Sequence, residues 1–114
     1  MAKSEELEIA EKYLKEMLKA DDAADFDLYT KRFESKYLES FSKERFQNDI
    51  EGMHKRNGMN KGYEFLAAFR NEEIDGNDVY RTIWKGIYEK RDAVIDFGIY
   101  KKQENWHVLI SAVF

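Results

Sequence analysis

The sequence predicts an α+β domain in which three N-terminal helices pack into a curved, antiparallel, four-stranded meander. Three observations point there. Helical amphipathic periodicity is confined to the first half of the chain. From Gly62 to Phe114 the sequence becomes short strand-like runs separated by turn residues. Those runs, such as Ala93-Val94-Ile95-Asp96-Phe97-Gly98-Ile99-Tyr100 and Trp106 to Phe114, are partly apolar at both odd and even positions, unlike a sheet with one wet face. One face therefore needs helices and the other a partner or a bound ligand.

Taken in order, Ser4 is placed to cap a first helix running to about Ala20, with Glu5 and Glu6 at its positive end. Leu7, Ala10, Leu14, Met17 and Leu18 form its apolar stripe, widened by Ile9 and Tyr13. Asp21-Asp22 breaks that pattern. A second helix follows from about Ala24 to Phe33, with Phe26, Tyr29 and Phe33 on one face. Ser42 caps a third helix carrying Phe46, Ile50 and Met53, ended by Gly58 or Gly62. Strand one is expected over Tyr63–Glu73, and Asp75-Gly76 is the turn. Strands two, three and four follow over Val79–Lys90, Ala93–Lys101 and Trp106–Phe114. Connections this short permit only a meander. Gly86 and Gly98, each mid-strand, are expected bulge or bend points.

A chain of 114 residues is one domain (1–114), and 43% hydrophobic and 15% aromatic content suits a folded core rather than disorder. A net charge of −4 argues against nucleic acid as partner. No apolar run reaches the roughly 20 residues that cross a bilayer. Ala2-Lys3-Ser4-Glu5-Glu6 has no apolar signal region, so a cytoplasmic location is expected, or an exported one if a leader was removed ahead of it. With no cysteine there are no disulfides, thiolate nucleophiles or zinc-thiolate sites, and the two histidines, His54 and His107, lack a flanking carboxylate motif. Neither a metal nor another cofactor is expected.

The helix-one segment YLKEMLKADD, the helix-three opening SKERFQNDI, the strand IYEKRDAVIDFGIY and the closing ENWHVLISAVF together resemble the nuclear transport factor 2-like superfamily, a cystatin-like, cone-shaped α+β fold. The resemblance covers nearly the whole chain and is nearest to uncharacterised bacterial members. Within the superfamily, Tyr13 standing eight residues before Asp21, with Asp96 in a late strand, is similar to the ketosteroid isomerases. That similarity implies an oxyanion hole in which Tyr13 and a protonated Asp96 donate hydrogen bonds to an enolate. The general base would follow helix two, where Glu39 is the nearest carboxylate; the isomerases' aspartate is missing there.

Strand alternation gives a competing account of the same residues. Ile95, Phe97 and Ile99 form the more apolar face, joined in the core by Val108, Ile110 and Ala112. Asp96, Gly98 and Tyr100 share the other, wetter face with His107, Leu109 and Ser111. Tyr13, at the edge of its stripe, packs in the core with its hydroxyl at the rim. Trp84 and Tyr88, four apart on one strand face, suit a pocket mouth, a core or a dimer surface. The expected function is a non-catalytic dimerisation or small-ligand-binding module. It would pair with a second copy through its sheet and hold a small apolar ligand near Tyr13, Trp84, Tyr88, Asp96 and Tyr100. The alternative is a cofactor-free isomerase or lyase using Tyr13, Asp96 and Glu39.

Overall fold

The computed structural model describes residues 4–114 as helices followed by a five-stranded antiparallel sheet. Helix α1 spans Glu5–Ala23, α2 Phe26–Thr30 and α3 Lys43–Asn57, with a single 3-10 turn at Ser35–Tyr37. The strands are β1 Asn60–Ala68, β2 Glu72–Ile74, β3 Asn77–Tyr88, β4 Asp92–Lys102 and β5 Asn105–Val113. Sheet order is β1-β3-β4-β5, and β2 also pairs with β3.

Each helix starts on a side chain that satisfies an otherwise orphaned N–H. Ser4 Oγ accepts from Leu7 N at 3.1 Å, Asp25 Oδ1 from Leu28 N at 3.1 Å, and Ser42 Oγ from Arg45 N at 3.0 Å. Asp21-Asp22 does not end α1. The helix runs on to Ala23 and stops at Ala24, which adopts the left-handed conformation at φ 53°. Helix α2 is half the expected length, because Arg32 is drawn out of it: its carbonyl accepts from Val108 N at 2.9 Å, pulling the chain onto the β5 edge. Gly58, at φ 80°, ends α3.

The expected first strand over Tyr63–Glu73 is two strands. Ala68 pairs with Thr82 and Glu72 with Val79, so three residues, 69–71, oppose only two on β3. Arg70 and Asn71 leave the ladder there, and the register also shifts between Asn60 and Gly62 and between Phe65 and Ala67. Asp75 and Gly76, both at positive φ, make the two-residue turn that joins β2 to β3. Gln103 and Glu104 make the same kind of turn between β4 and β5 without a glycine.

The inner face of the sheet carries the helices. Ala10, Tyr13, Leu14, Met17 and Leu18 of α1 pack on Trp84, Ile95, Phe97, Ile99 and Val108. Phe46, Ile50 and Met53 of α3 pack on Tyr88 and Ala93 at the other end of the same face. Each such buried side chain contributes about 1.5–3 kcal/mol. Thr82 and Trp84 fill the middle with their polar atoms paired: Trp84 Nε1 donates to Thr82 Oγ1 at 2.7 Å, and Thr82 Oγ1 donates to the Phe97 carbonyl at 2.8 Å.

Strand β5 departs from the expected alternation. Gly98 pairs with Ile110 but Ile99 with Val108, so Leu109 is an extra residue in a β-bulge. Beyond it the faces exchange. Ile110 and Ala112, expected inside, lie on the outer face opposite Gly98 and Asp96, whereas Ser111 and Val113, opposite Phe97 and Ile95, turn inward. Gly98 was expected at a bulge. Gly86 is not at one, since the ladder runs regularly through Gly86 and Ala93. Its role is space: a Cβ there would stand 2.6 Å from Tyr88 Cε2 and 2.9 Å from Ile95 Cδ1.

Gly86→Ala is therefore expected to lower stability by about 1–3 kcal/mol, because both crowding side chains are buried. An unchanged urea midpoint would show that the ring and methyl give way freely. The turn offers the opposite change. Gln103→Asn combined with Glu104→Gly should stabilise the fold by about 1 kcal/mol by relieving two side chains held at positive φ. In a domain this small that corresponds to a rise in Tm of about 4–8 °C, and a fall would refute the turn geometry.

Candidate functional site

Between the two core clusters the helices do not close on the sheet. A cavity of about 300 Å3 lies there, lined by Asp21 of α1, Tyr29 of α2, Phe41, the α3 face Phe46-Asp49-Ile50-Met53-Arg56, and Ser111 to Val113 of β5. Helix periodicity explains who faces it. Leu14, Met17, Leu18 and Asp21 fall at i, i+3, i+4 and i+7, so Asp21 continues the buried stripe of α1 by one more turn. Phe46, Asp49, Ile50, Met53 and Arg56 form one face of α3 in the same way. The β5 bulge supplies Ser111 and Val113.

The walls are aromatic. Tyr29 and Phe46 rings lie 4.8 Å apart between centroids, with Phe41 5.7 Å from Tyr29 and 6.3 Å from Phe46. In this apolar setting Asp21 is 7% exposed, and among the described residues its carboxyl receives neither a hydrogen bond nor a cation. Burial, aided by the neighbouring negative charge of Asp22, pushes its pKa from the ordinary 3.8 up to about 7. Burial and the Asp21 charge likewise push the Tyr29 and Tyr88 hydroxyls up to about 12, Ser111 partly offsetting the shift at Tyr29. Among the described residues the buried Tyr88 oxygen has no well-formed hydrogen bond, and Asn60, a weak donor to it, partly offsets its shift. Arg56 stands at the rim, where a guanidinium N–H donates to the Val113 carbonyl at 3.3 Å.

Two further hollows are present, one of them adjoining this cavity. A neighbour of about 240 Å3 shares Tyr29, Phe41 and Ser111 and extends past Phe33 and Tyr37 to Leu38. A third, of about 430 Å3, is a surface depression at the β1–β2 elbow between Phe69 and Arg81.

The residues singled out from the sequence are dispersed. Tyr13 is in the α1 core at 8% exposure, and the Arg32 guanidinium lies 4.5 Å from its ring centroid. Arg32 is held there by a two-pronged pair with Glu16, both bonds 3.0 Å, which holds the Glu16 carboxyl below its usual range. Trp84 belongs to the same cluster as Tyr13, and Tyr88 to the cluster around α3. Asp96 is on the outer face, across the sheet from Tyr13, where it accepts two bonds from Arg81 at 2.9 and 2.6 Å. Tyr100 is also on the outer face, fully buried, and its hydroxyl donates to Glu34 of the segment that wraps round β5. Glu39 is exposed in the loop before α3. Tyr13, Asp96 and Glu39 therefore share no site.

Asp21, Asp49, Arg56 and Ser111 are lining residues that the sequence reading did not assign to a pocket. The signal for Asp21 was its stripe position, and for Asp49 its place between Phe46 and Ile50 on the apolar face of α3. Ser111 is visible only once the bulge is known. Compared with known proteins, the chain matches no family model, no curated protein and no solved structure.

The Asp21 shift has a defined sign. With the folded pKa raised above the unfolded one, the native state holds the extra proton between about pH 4 and pH 7. Stability should therefore fall as pH rises through that window, by up to about 4 kcal/mol, and level off above it. Asp21→Asn should flatten the decline and leave the protein more stable than wild type at pH 8. Urea midpoints measured across pH 4–8 decide it: an identical slope in the variant would mean that Asp21 does not titrate near neutrality.

Proposed function

We propose that this chain is a small-ligand-binding module of the nuclear transport factor 2-like type, using the cavity between α1, α3 and β5 as its binding site. The observation that carries it is an aromatic-walled hollow of about 300 Å3 with two carboxyls in its lining, Asp49 and the buried Asp21. Such a combination of apolar walls and few polar groups is how small-molecule pockets are built. Leaving a carboxyl without a partner in a protein interior is unfavourable unless something arrives to satisfy it. The order of elements, helices first and a bent antiparallel sheet after, supports the superfamily reading.

The same proposal includes pairing of two copies through the outer face of the sheet. Ile83, Val94, Ile110 and Ala112 lie there, with Val94 49% exposed. Charges on that face are paired within one subunit: Arg81 with Asp96 and Glu72, and Lys85 with Glu64 at 3.1 Å. What remains to present to a twin is the apolar surface between these ion pairs.

A cofactor-free isomerase or lyase is the second reading, and one observation favours it. A carboxyl titrating near pH 7 inside an apolar pocket is matched to proton transfer at neutral pH. The acid would then be Asp21, flanked by Tyr29 and Tyr88, rather than the Tyr13 and Asp96 pair that the ketosteroid isomerase similarity implies.

Cavity filling separates a binding pocket from an inert void. Ser111→Phe should keep or raise Tm and abolish the chemical-shift changes that small aromatic compounds cause in wild-type amides around Tyr29, Ile50 and Val113. Binding that survives the substitution would locate the site elsewhere. For pairing, sedimentation at about 100 μM should give a dimer that Val94→Lys converts to monomer with little change in fold, because Val94 is half exposed in one subunit. A wild-type protein that sediments as a monomer would reject this interface.

A further inference from the structure

Resting on the binding function proposed above, we infer that the ligand is a small organic ammonium ion with an apolar body, its charged head held between Asp21 and Asp49 and its body against Tyr29, Phe41 and Phe46. The cavity has two carboxylates on facing helices, and no ion pair engages either one among the described residues. Its one basic lining residue, Arg56, lies seven positions beyond Asp49 on α3, about 10 Å along the helix axis, and is bonded to the Val113 carbonyl. The acidic end thus keeps its negative potential.

Three features argue for a cation over an anion or a neutral molecule. An anion would meet Asp49 and Asp21 first, with Arg56, the basic residue of the lining, about 10 Å away along α3. A neutral apolar guest would displace water from the Asp21 carboxyl in the hollow and give it no partner in exchange. An ammonium group supplies both a counter-charge and N–H donors, and the surrounding ring faces favour it further. The Tyr29 hydroxyl, which lines the cavity, stays neutral and serves as an additional acceptor. The binding step balances as follows: the protonated amine enters, the Asp21 carboxylic acid becomes a carboxylate, and its proton leaves to solvent.

The probe set is 2-phenylethylamine, the neutral 2-phenylethanol and the anionic 3-phenylpropanoate, titrated calorimetrically into the 114-residue chain at pH 6 in two buffers of different ionisation enthalpy. Binding of the amine alone is expected, with release of close to one proton per amine. Asp21→Asn should weaken it by about tenfold or more and remove the proton release. Asp49→Asn, an exposed helix position whose change leaves the fold intact, should weaken it while keeping the release. If the alcohol or the propanoate binds as well as the amine, the ammonium assignment is overturned and the pocket stands. Amine binding unaffected by either substitution overturns it too. If no probe binds, the ammonium assignment and the pocket function both fail.

Discussion

One extra residue in β5 governs how the two halves of the molecule meet. A side-chain period of two leaves no tolerance for insertion, so the bulge at Leu109 exchanges the faces of everything beyond it. Had the ladder run straight, Ile110 and Ala112 would have faced the helices and closed the space beside Phe46. Instead Ser111 and Val113 face inward, leaving room for a small hydroxyl where a branched side chain would stand. Gly98 makes this feasible, because a Cβ there would lie 3.1 Å from both Ile110 Cδ1 and Val79 Cγ1. The hollow follows from backbone register as much as from side-chain choice.

Around that constraint the packing is divided. The α1 side is filled, with Trp84, Phe97, Ile99 and Val108 all essentially inaccessible and the polar atoms of Thr82 and Trp84 paired. The α3 side retains orphaned polar atoms on Tyr88, Asn57 and His54 as well as the isolated Asp21 carboxyl. Unsatisfied groups are few in native interiors and tend to have a functional reason. Their concentration on the α3 side separates a half whose polar atoms are paired from a half whose chemistry is incomplete on its own.

Much of the architecture was legible in the sequence. Ser4 and Ser42 announced their helices through capping, Asp75-Gly76 announced its turn, and Gly98 announced a bulge. Long, strongly periodic segments constrain their own conformation, so these readings needed no tertiary information. What stayed hidden depended on contacts distant in sequence. The shortness of α2 comes from an Arg32–Val108 hydrogen bond spanning most of the chain. The direction of Ser111 comes from which side of the bulge carries the additional residue, and the pairing of Asp96 with Arg81 from cross-strand register. Asp21 was misread for a simpler reason: an aspartate at a stripe position looks like a helix end, because burying one alone is costly.

The free margin of the sheet shows how such a molecule stays out of trouble. Strand β1 is an outer strand bearing Phe65 and Leu66, with Phe69 just past its end, all three well exposed, a combination that invites neighbouring chains to add on by main-chain hydrogen bonding. Its register breaks three times, near Gly62, near Leu66 and again over residues 69–71, so no long uninterrupted row of donors and acceptors faces outward. An incoming extended segment would find only short matching stretches. The same kinks that spoil the regularity of this border thereby deny it the flat template on which fibrillar stacking starts.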